Sequence, residues 1–231
     1  MAVLALPADT VRPVRRLSQL LVGLVLYGVS MALMYRASLG LDPWDVFHQG
    51  VAGRLGLSIG TVVLLTGACV LLLWLPLRQR PGIGTVGNVL VLGVAMDRTL
   101  ALLPAQHLLA VRIALLAGGI VLNGLATGLY IGARLGPGPR DGLMVALHRR
   151  TGRSLRLLRT GLEVTVLLAG IALGGSAGVG TVAYALAIGP LAQFFLRRCT
   201  VPAAPADRGR PERMNFAPRS PGSSRGGGGV S

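Results

Sequence analysis

The residues most able to do chemistry in this 231-residue chain are the few charges set within apolar runs. Glu163 lies near the centre of the run 157–173, which makes it the deepest charge expected from the sequence. Arg159 precedes it by four residues, the spacing at which two helical side chains meet. Such a carboxylate could carry a proton or hold a cationic group; the alternative is an ion pair that locks helix packing, with Arg159 snorkelling. Asp97 and Arg98 lie toward the end of another run, where they would form a gate or reach the headgroups.

Two short segments carry a second kind of chemistry. Asp42-Pro43-Trp44-Asp45 places an aspartate at a helix N-cap, a proline at the first helical position and a carboxylate at the third. Pro139-Arg140-Asp141 repeats the design. A helix start of this kind turns free N–H groups toward an anionic group. The competing reading is that Asp45 and Asp141 themselves occupy that positive potential as caps. Trp44, Phe47 and Val51 predict one apolar face, with His48 and Gln49 beside or opposite it. Asn88 and Asn123 are amides within apolar runs and are expected to bridge helices.

Other motifs match only as strings. Gly82–Gly87 satisfies G-x-G-x-x-G, but it joins two apolar runs where a dinucleotide site needs a strand and a βαβ unit. Gly84 and Thr85, like Gly180 and Thr181, are expected instead at tight helix starts. Gly174–Gly178 matches G-x-S-x-G without the strand and histidine of a nucleophile elbow. The three histidines have no ligand spacing, so neither metal nor cofactor is expected. Every one of the 23 basic residues is arginine, which excludes a P-loop lysine and a Schiff base. Cys69 and Cys199 are too few for a disulfide framework and read as buried packing thiols.

The elements that must position these groups follow from composition. The chain is 52% hydrophobic and 13% charged with a mean hydropathy of +0.64, whereas soluble domains carry about 25% charge. A membrane protein is expected, and its net charge of +15 needs no nucleic-acid partner. Six runs approach the ~20 residues of a bilayer span: 17–35, 58–77, 83–103, 113–131, 157–173 and 179–196. No secretory signal is evident, so the first run is expected to be retained. With six spans, 18 arginines fall on one side and 4 on the other, which places both termini in the cytoplasm. Trp74 and Phe194-Phe195 would then mark the inner interface, Trp44 and Tyr35 the outer one. The two short helices would be interfacial or re-entrant, one at each surface.

Offsetting the chain by 96 residues aligns 17–96 with 113–192 at 24 identities in 80 pairs, against roughly 9 by chance for this composition. Three spans per repeat is an odd number, so the second copy must be inverted, a building plan of secondary transporters. The expected fold is an all-α polytopic bundle of about six helices from two inverted three-helix repeats, each with a short extra helix. Its expected parts are a cytoplasmic segment 1–16, repeats 17–103 and 104–198, and a disordered basic tail 199–231.

Gly40–Phe47, Gly82–Thr85 and Asn88 resemble the first half of the YczE/YyaS/YitT-like bacterial integral membrane proteins. Gly138–Met144, Arg159, Glu163, Gly174-Gly175, Gly178–Thr181 and Gly189-Pro190 resemble the second-half signature. The resemblance covers about 15–198 and implies a multi-pass protein of the bacterial cytoplasmic membrane without an assigned activity. The leading expectation is a small-solute or ion transporter whose midplane site uses Glu163, Arg159, Asp45, Asp141, Arg140 and Asn88. Pro43, Trp44, Pro139, Gly84, Thr85, Gly180 and Thr181 would shape the helix starts around it. The alternatives are an accessory membrane subunit and, third, an enzyme acting on lipid headgroups. Expected partners are the lipid bilayer, a small solute or proton, and a second copy in a homodimer.

Overall fold

The computed structural model describes residues 13–201. Among the described residues there are eight helices and no strand: α1 (Pro13–Ala37), α2 (Pro43–Leu55), α3 (Ile59–Trp74), α4 (Ile83–Leu102), α5 (Leu109–Gly132), α6 (Pro139–Thr151), α7 (Leu155–Ala172) and α8 (Val179–Cys199). Helix α1 starts at Pro13, inside the segment assigned above to a cytoplasmic leader. The tail from residue 202 lies outside the described residues. Val201 is buried, and its N–H bonds the carbonyl of Gly132 at the end of α5 (3.1 Å).

Four helices, α1, α4, α5 and α8, are each long and apolar enough to cross a bilayer. Helix α3 reaches that length only together with α2, from which it is bent by 113°. Helix α7 has 18 residues, but Arg156, Arg159 and Glu163 interrupt its apolar run. The six expected spans thus stand at four, or five with the bent pair, on length and composition.

Glycines set how closely the long helices approach. Gly23 of α1 abuts the backbone of α5 near Ala126 and Tyr130, while Gly119 of α5 abuts α1 near Ser30 and Met34, so the two run antiparallel. Small residues at such crossings let backbones come into contact where lipid supplies no hydrophobic drive. Gly28 does the same against α4, and Gly124 against α8.

The 96-residue offset recurs in the backbone. Ser38 and Arg134 both take positive φ (50° and 55°), as do Gly40 and Gly136 (118° and 121°) and Gly56 and Gly152 (65° and 69°). Each half's turn clasps the other half's helix start: Gly84 N–H bonds Leu135 O (2.8 Å), and Gly180 N–H bonds Leu39 O (2.7 Å). Gly82 lies too close to Leu135 O, and Gly178 to Leu39 O, for any side chain.

Arginines close helix ends. Arg54 donates to Ala172 O and Leu173 O (both 3.1 Å), and Arg112 donates to Ala37 O and Ser38 O (2.7 and 2.6 Å). Arg36 reaches Leu100 O (2.6 Å). These three arginines therefore serve carbonyls that a helix end leaves unpaired.

Several expectations are corrected here. The buried face of α2 is Asp45, Val46, His48 and Gly50, while Trp44, Phe47 and Val51 are only half-buried. Helix α2 packs its backbone against Gly170 of α7, so small and polar residues face inward. Trp74, at the end of α3, is buried (2% exposed) within the protein. Cys69 is exposed and Cys199 half-buried, so neither is a buried packing thiol. Asp97 accepts Gly60 N–H (2.8 Å) and Ser58 Oγ–H (2.6 Å) at the start of α3.

Candidate functional site

Helices α2 and α6 each begin with Pro at the first helical position and Asp at the third, yet their starts are finished differently. At α2, the Asp42 Oδ1 accepts the N–H groups of Trp44 (2.8 Å) and Asp45 (3.0 Å). That start is capped by its own carboxylate. At α6 the equivalent residue is Gly138, which supplies no side-chain cap. The N–H groups of Arg140 and Asp141 therefore lack the acceptor that Asp42 provides in α2.

The two starts meet. The Arg140 guanidinium lies over the Trp44 ring, 4.6 Å from its centroid, and within electrostatic reach of Asp42 and Asp45. Among the described residues it makes no hydrogen bond and no ion pair. Trp44 is consequently a cavity-wall residue.

A buried acidic group adjoins this contact. Asp45 Oδ1 pairs with His48 Nδ1 at 3.0 Å, with both side chains buried. The second carboxylate oxygens of Asp42 and Asp45 are buried and accept no hydrogen bond from an N–H or hydroxyl group. The two carboxyl groups adjoin, so they call for a shared proton or a cationic ligand. Across the contact, Asp141 Oδ2 accepts the Tyr130 hydroxyl (2.8 Å).

Asp42, Trp44, Tyr130, Arg140 and Asp141 wall a cavity of about 250 Å³, behind which Asp45 and His48 lie. Asp42 and Trp44 come from the first half, Arg140 and Asp141 from the second, with Tyr27, Tyr130, Tyr184 and Asn88 on the long helices between them. Among the described residues the Asn88 side chain makes no hydrogen bond, whereas Asn123 bridges three helices: its Nδ2 donates to Ser30 Oγ (2.9 Å) and its Oδ1 accepts from Tyr184 (3.1 Å). Trp74 supports the cavity from behind, its Nε1 donating to Pro139 O (3.1 Å) and its ring filling the space a side chain on Gly142 would take.

Arg159 and Glu163 form the expected pair (3.0 Å) at the edge of the cavity, with side chains 56% and 38% exposed. Glu163 is therefore not the deepest charge; Asp42 and Asp45 are, at 2% and 0%. Position along an apolar run measures distance from the helix ends, not distance from the bundle axis. Thr85 and Thr181 sit at helix starts, where each hydroxyl accepts the N–H of the glycine three residues earlier (3.1 and 3.2 Å). Pro43, Pro139, Gly84 and Gly180 shape the starts around them.

The tyrosines of the cavity escaped the sequence reading. A signal existed: at the 96-residue offset Tyr27 aligns with Asn123, and Asn88 with Tyr184. Each amide in an apolar run is thus matched by a hydroxyl at the same place in the other half.

The class defined by this fold is an all-helical integral membrane protein with a polar cavity between its two halves. Residues 14–197 match the model of a family of unknown function, DUF6198, and the chain belongs to that family. It is 39% identical to an uncharacterized protein of Haemophilus influenzae over 182 residues, covering 79% of this chain and 84% of that protein. It is 36% identical to the uncharacterized membrane protein YczE of Bacillus subtilis over 171 residues, 74% of this chain and 79% of YczE. Identity to YyaS of the same organism is 23% over 179 residues, 76% and 89% of the two chains. No solved structure matches.

Proposed function

We propose that the protein is a transporter-like membrane protein that binds a small solute in the cavity where α2 and α6 begin. The observation that carries this reading is the Arg140 guanidinium, held at the cavity wall without a hydrogen bond beside an uncapped helix start. The half-buried guanidinium keeps its N–H donors open at the cavity wall, and an anionic group of the solute would satisfy them together with the free N–H groups. Asp42, with its unpaired oxygen, offers the complementary place for a cationic group. The solute is accordingly zwitterionic. The proposed activity is binding and passage of that solute.

The recurrence of the backbone at the 96-residue offset supports two halves inverted relative to each other, with the site between them. Arginine placement supports both termini in the cytoplasm of a bacterial cell. Cysteines at the equivalent exposed positions Gly53 and Arg149 report on this directly. A membrane-impermeant maleimide added to whole cells should label Gly53→Cys and not Arg149→Cys; labelling of both would refute the inversion.

Phosphoethanolamine is a suitable probe of the cavity. It should raise the unfolding temperature of the purified protein, and Arg140→Gln should abolish the rise while leaving the unliganded unfolding temperature near wild type. If the probe has no effect on wild type, the binding reading fails and a non-binding accessory subunit takes its place.

A further inference from the structure

Helices α3 and α4 close tightly upon each other. At their crossing the backbones of Gly60 and Gly93 touch, and a side chain on either would run into the carbonyl of the other. Asp97 rivets the seam by accepting from Ser58 and Gly60. The equivalent helices of the second half, α7 and α8, do not close: α7 packs on α2 and α6 and is all but separated from α8.

The reason is written in the residues at the equivalent positions. Arg156 stands where Gly60 would be, Gly189 where Gly93 would be, and Gln193 where Asp97 would be. A side chain added to Gly189 would meet nothing within 4 Å, and Arg156 is exposed. An arginine cannot enter a crossing that excludes even a methyl group, so α7 is barred from the approach that α3 makes to α4. The gap is a property of the sequence.

The gap leads inward. Arg159 and Glu163 of α7 form one lip of the cavity, and Ile188, Gly189 and Gln193 of α8 form the other. From the geometry we infer that this gap is a standing side entrance, open to the bilayer, for an amphiphile with a zwitterionic head and a hydrocarbon tail. The inference rests on the reading of the cavity as a solute site and names the class of solute. The head engages Arg140 and Asp42, while the tail leaves between α7 and α8 into the lipid. The exposed Arg159–Glu163 pair gives the passing head polar contacts at the lip, where an apolar lip would not.

The test is photo-crosslinking of the full chain in phosphatidylglycerol vesicles, with phosphatidylethanolamine bearing a diazirine on its acyl chain as tracer. Adducts should concentrate on Met144, Ile188 and Ala192, and unlabelled phosphatidylethanolamine should compete for them. Gly189→Phe, which fills open space, should lower these adducts by about fivefold or more. Arg140→Gln should lower them as well. Adducts confined to the outward-facing Val182 and Leu186 and unchanged by Gly189→Phe would overturn the entrance. So would light scattering that shows a dimer in wild type and a monomer in Gly189→Phe, since a second copy would then cover the gap. Arg140-dependent binding of phosphoethanolamine without cavity adducts would retain the solute site and reject only the entrance. Loss of both would reject both readings.

Discussion

The two halves of this protein follow one backbone plan, and among their many differences three places matter most to the cavity. Before the proline of the short helix stands Asp42 in one half and Gly138 in the other. At the crossing of the last two helices stand Gly60 and Gly93 in one half, Arg156 and Gly189 in the other. Where a short helix packs on the second long helix of the opposite half, Trp74 meets Gly142 in one case and Gly170 meets Val46 in the other. Each difference makes the first half self-sufficient and leaves the second open. The lesson is that a shared backbone needs only a few side-chain exchanges to turn one copy into scaffold and the other into a site.

The largest effect expected concerns the seams. Gly93→Leu must push α3 and α4 apart and should cost about 3 kcal/mol or more, or prevent folding. Gly189→Leu, at the equivalent place, should stay within about 0.5 kcal/mol of wild type. Thermal unfolding in detergent measures both; equal losses would show that the α7–α8 gap is not open.

Next is the tryptophan behind the cavity. Trp74→Ala removes a buried side chain with its hydrogen bond to Pro139 and should cost about 3–5 kcal/mol. Because Trp74 supports the start of α6, the same variant should also weaken phosphoethanolamine binding, read by calorimetry on whatever fraction remains folded.

The caps give a smaller effect with opposite signs for stability and binding. Asp42→Ala should destabilise by about 1–2 kcal/mol. Gly138 has extended backbone (φ −61°, ψ 159°), and the nearest atoms to an added Cβ lie at 3.4 Å, so Gly138→Asp fits. It should be neutral or stabilising by a few tenths of a kcal/mol, yet lower the affinity for phosphoethanolamine by about tenfold or more through like charge. A variant that gained no stability and kept full affinity would mean that the open start of α6 is irrelevant to binding.

The smallest effect belongs to Glu163→Gln. The Arg159–Glu163 pair is partly exposed, and a pair of this kind in contact with water contributes about 0.2–1 kcal/mol. A loss well above that range would place the pair in a drier setting than its exposure indicates.

Much of the helical plan was legible because its signals are local. Proline at the first helical position with Asp42 before it marks the start of α2, and Ser58 and Ser154 mark the starts of α3 and α7. Gly56 and Gly152, with positive φ, end the short helices as glycine should. The site was legible only in part. Arg140, Asp45, Asp141 and Asn88 were singled out, but the tyrosines were not, since Tyr27, Tyr130 and Tyr184 sit in runs whose hydropathy they hardly disturb. The face that α2 buries was misread because its neighbour is a glycine-lined backbone. There, inward residues are chosen for closeness and hydrogen bonding rather than for apolar area.

The sequence by itself determined the membrane class, the breaks between helices and the correspondence of residues 96 apart. Hydropathy, capping and glycine preference act over a few residues and carry that information without reference to the rest of the chain. Only the tertiary structure decided that Trp44 and Arg140, nearly a hundred residues apart, share one cavity, and that one seam is closed while its counterpart is open. Those outcomes depend on where long helices cross and which side chain stands at the crossing. A single methyl group there decides whether two backbones can touch.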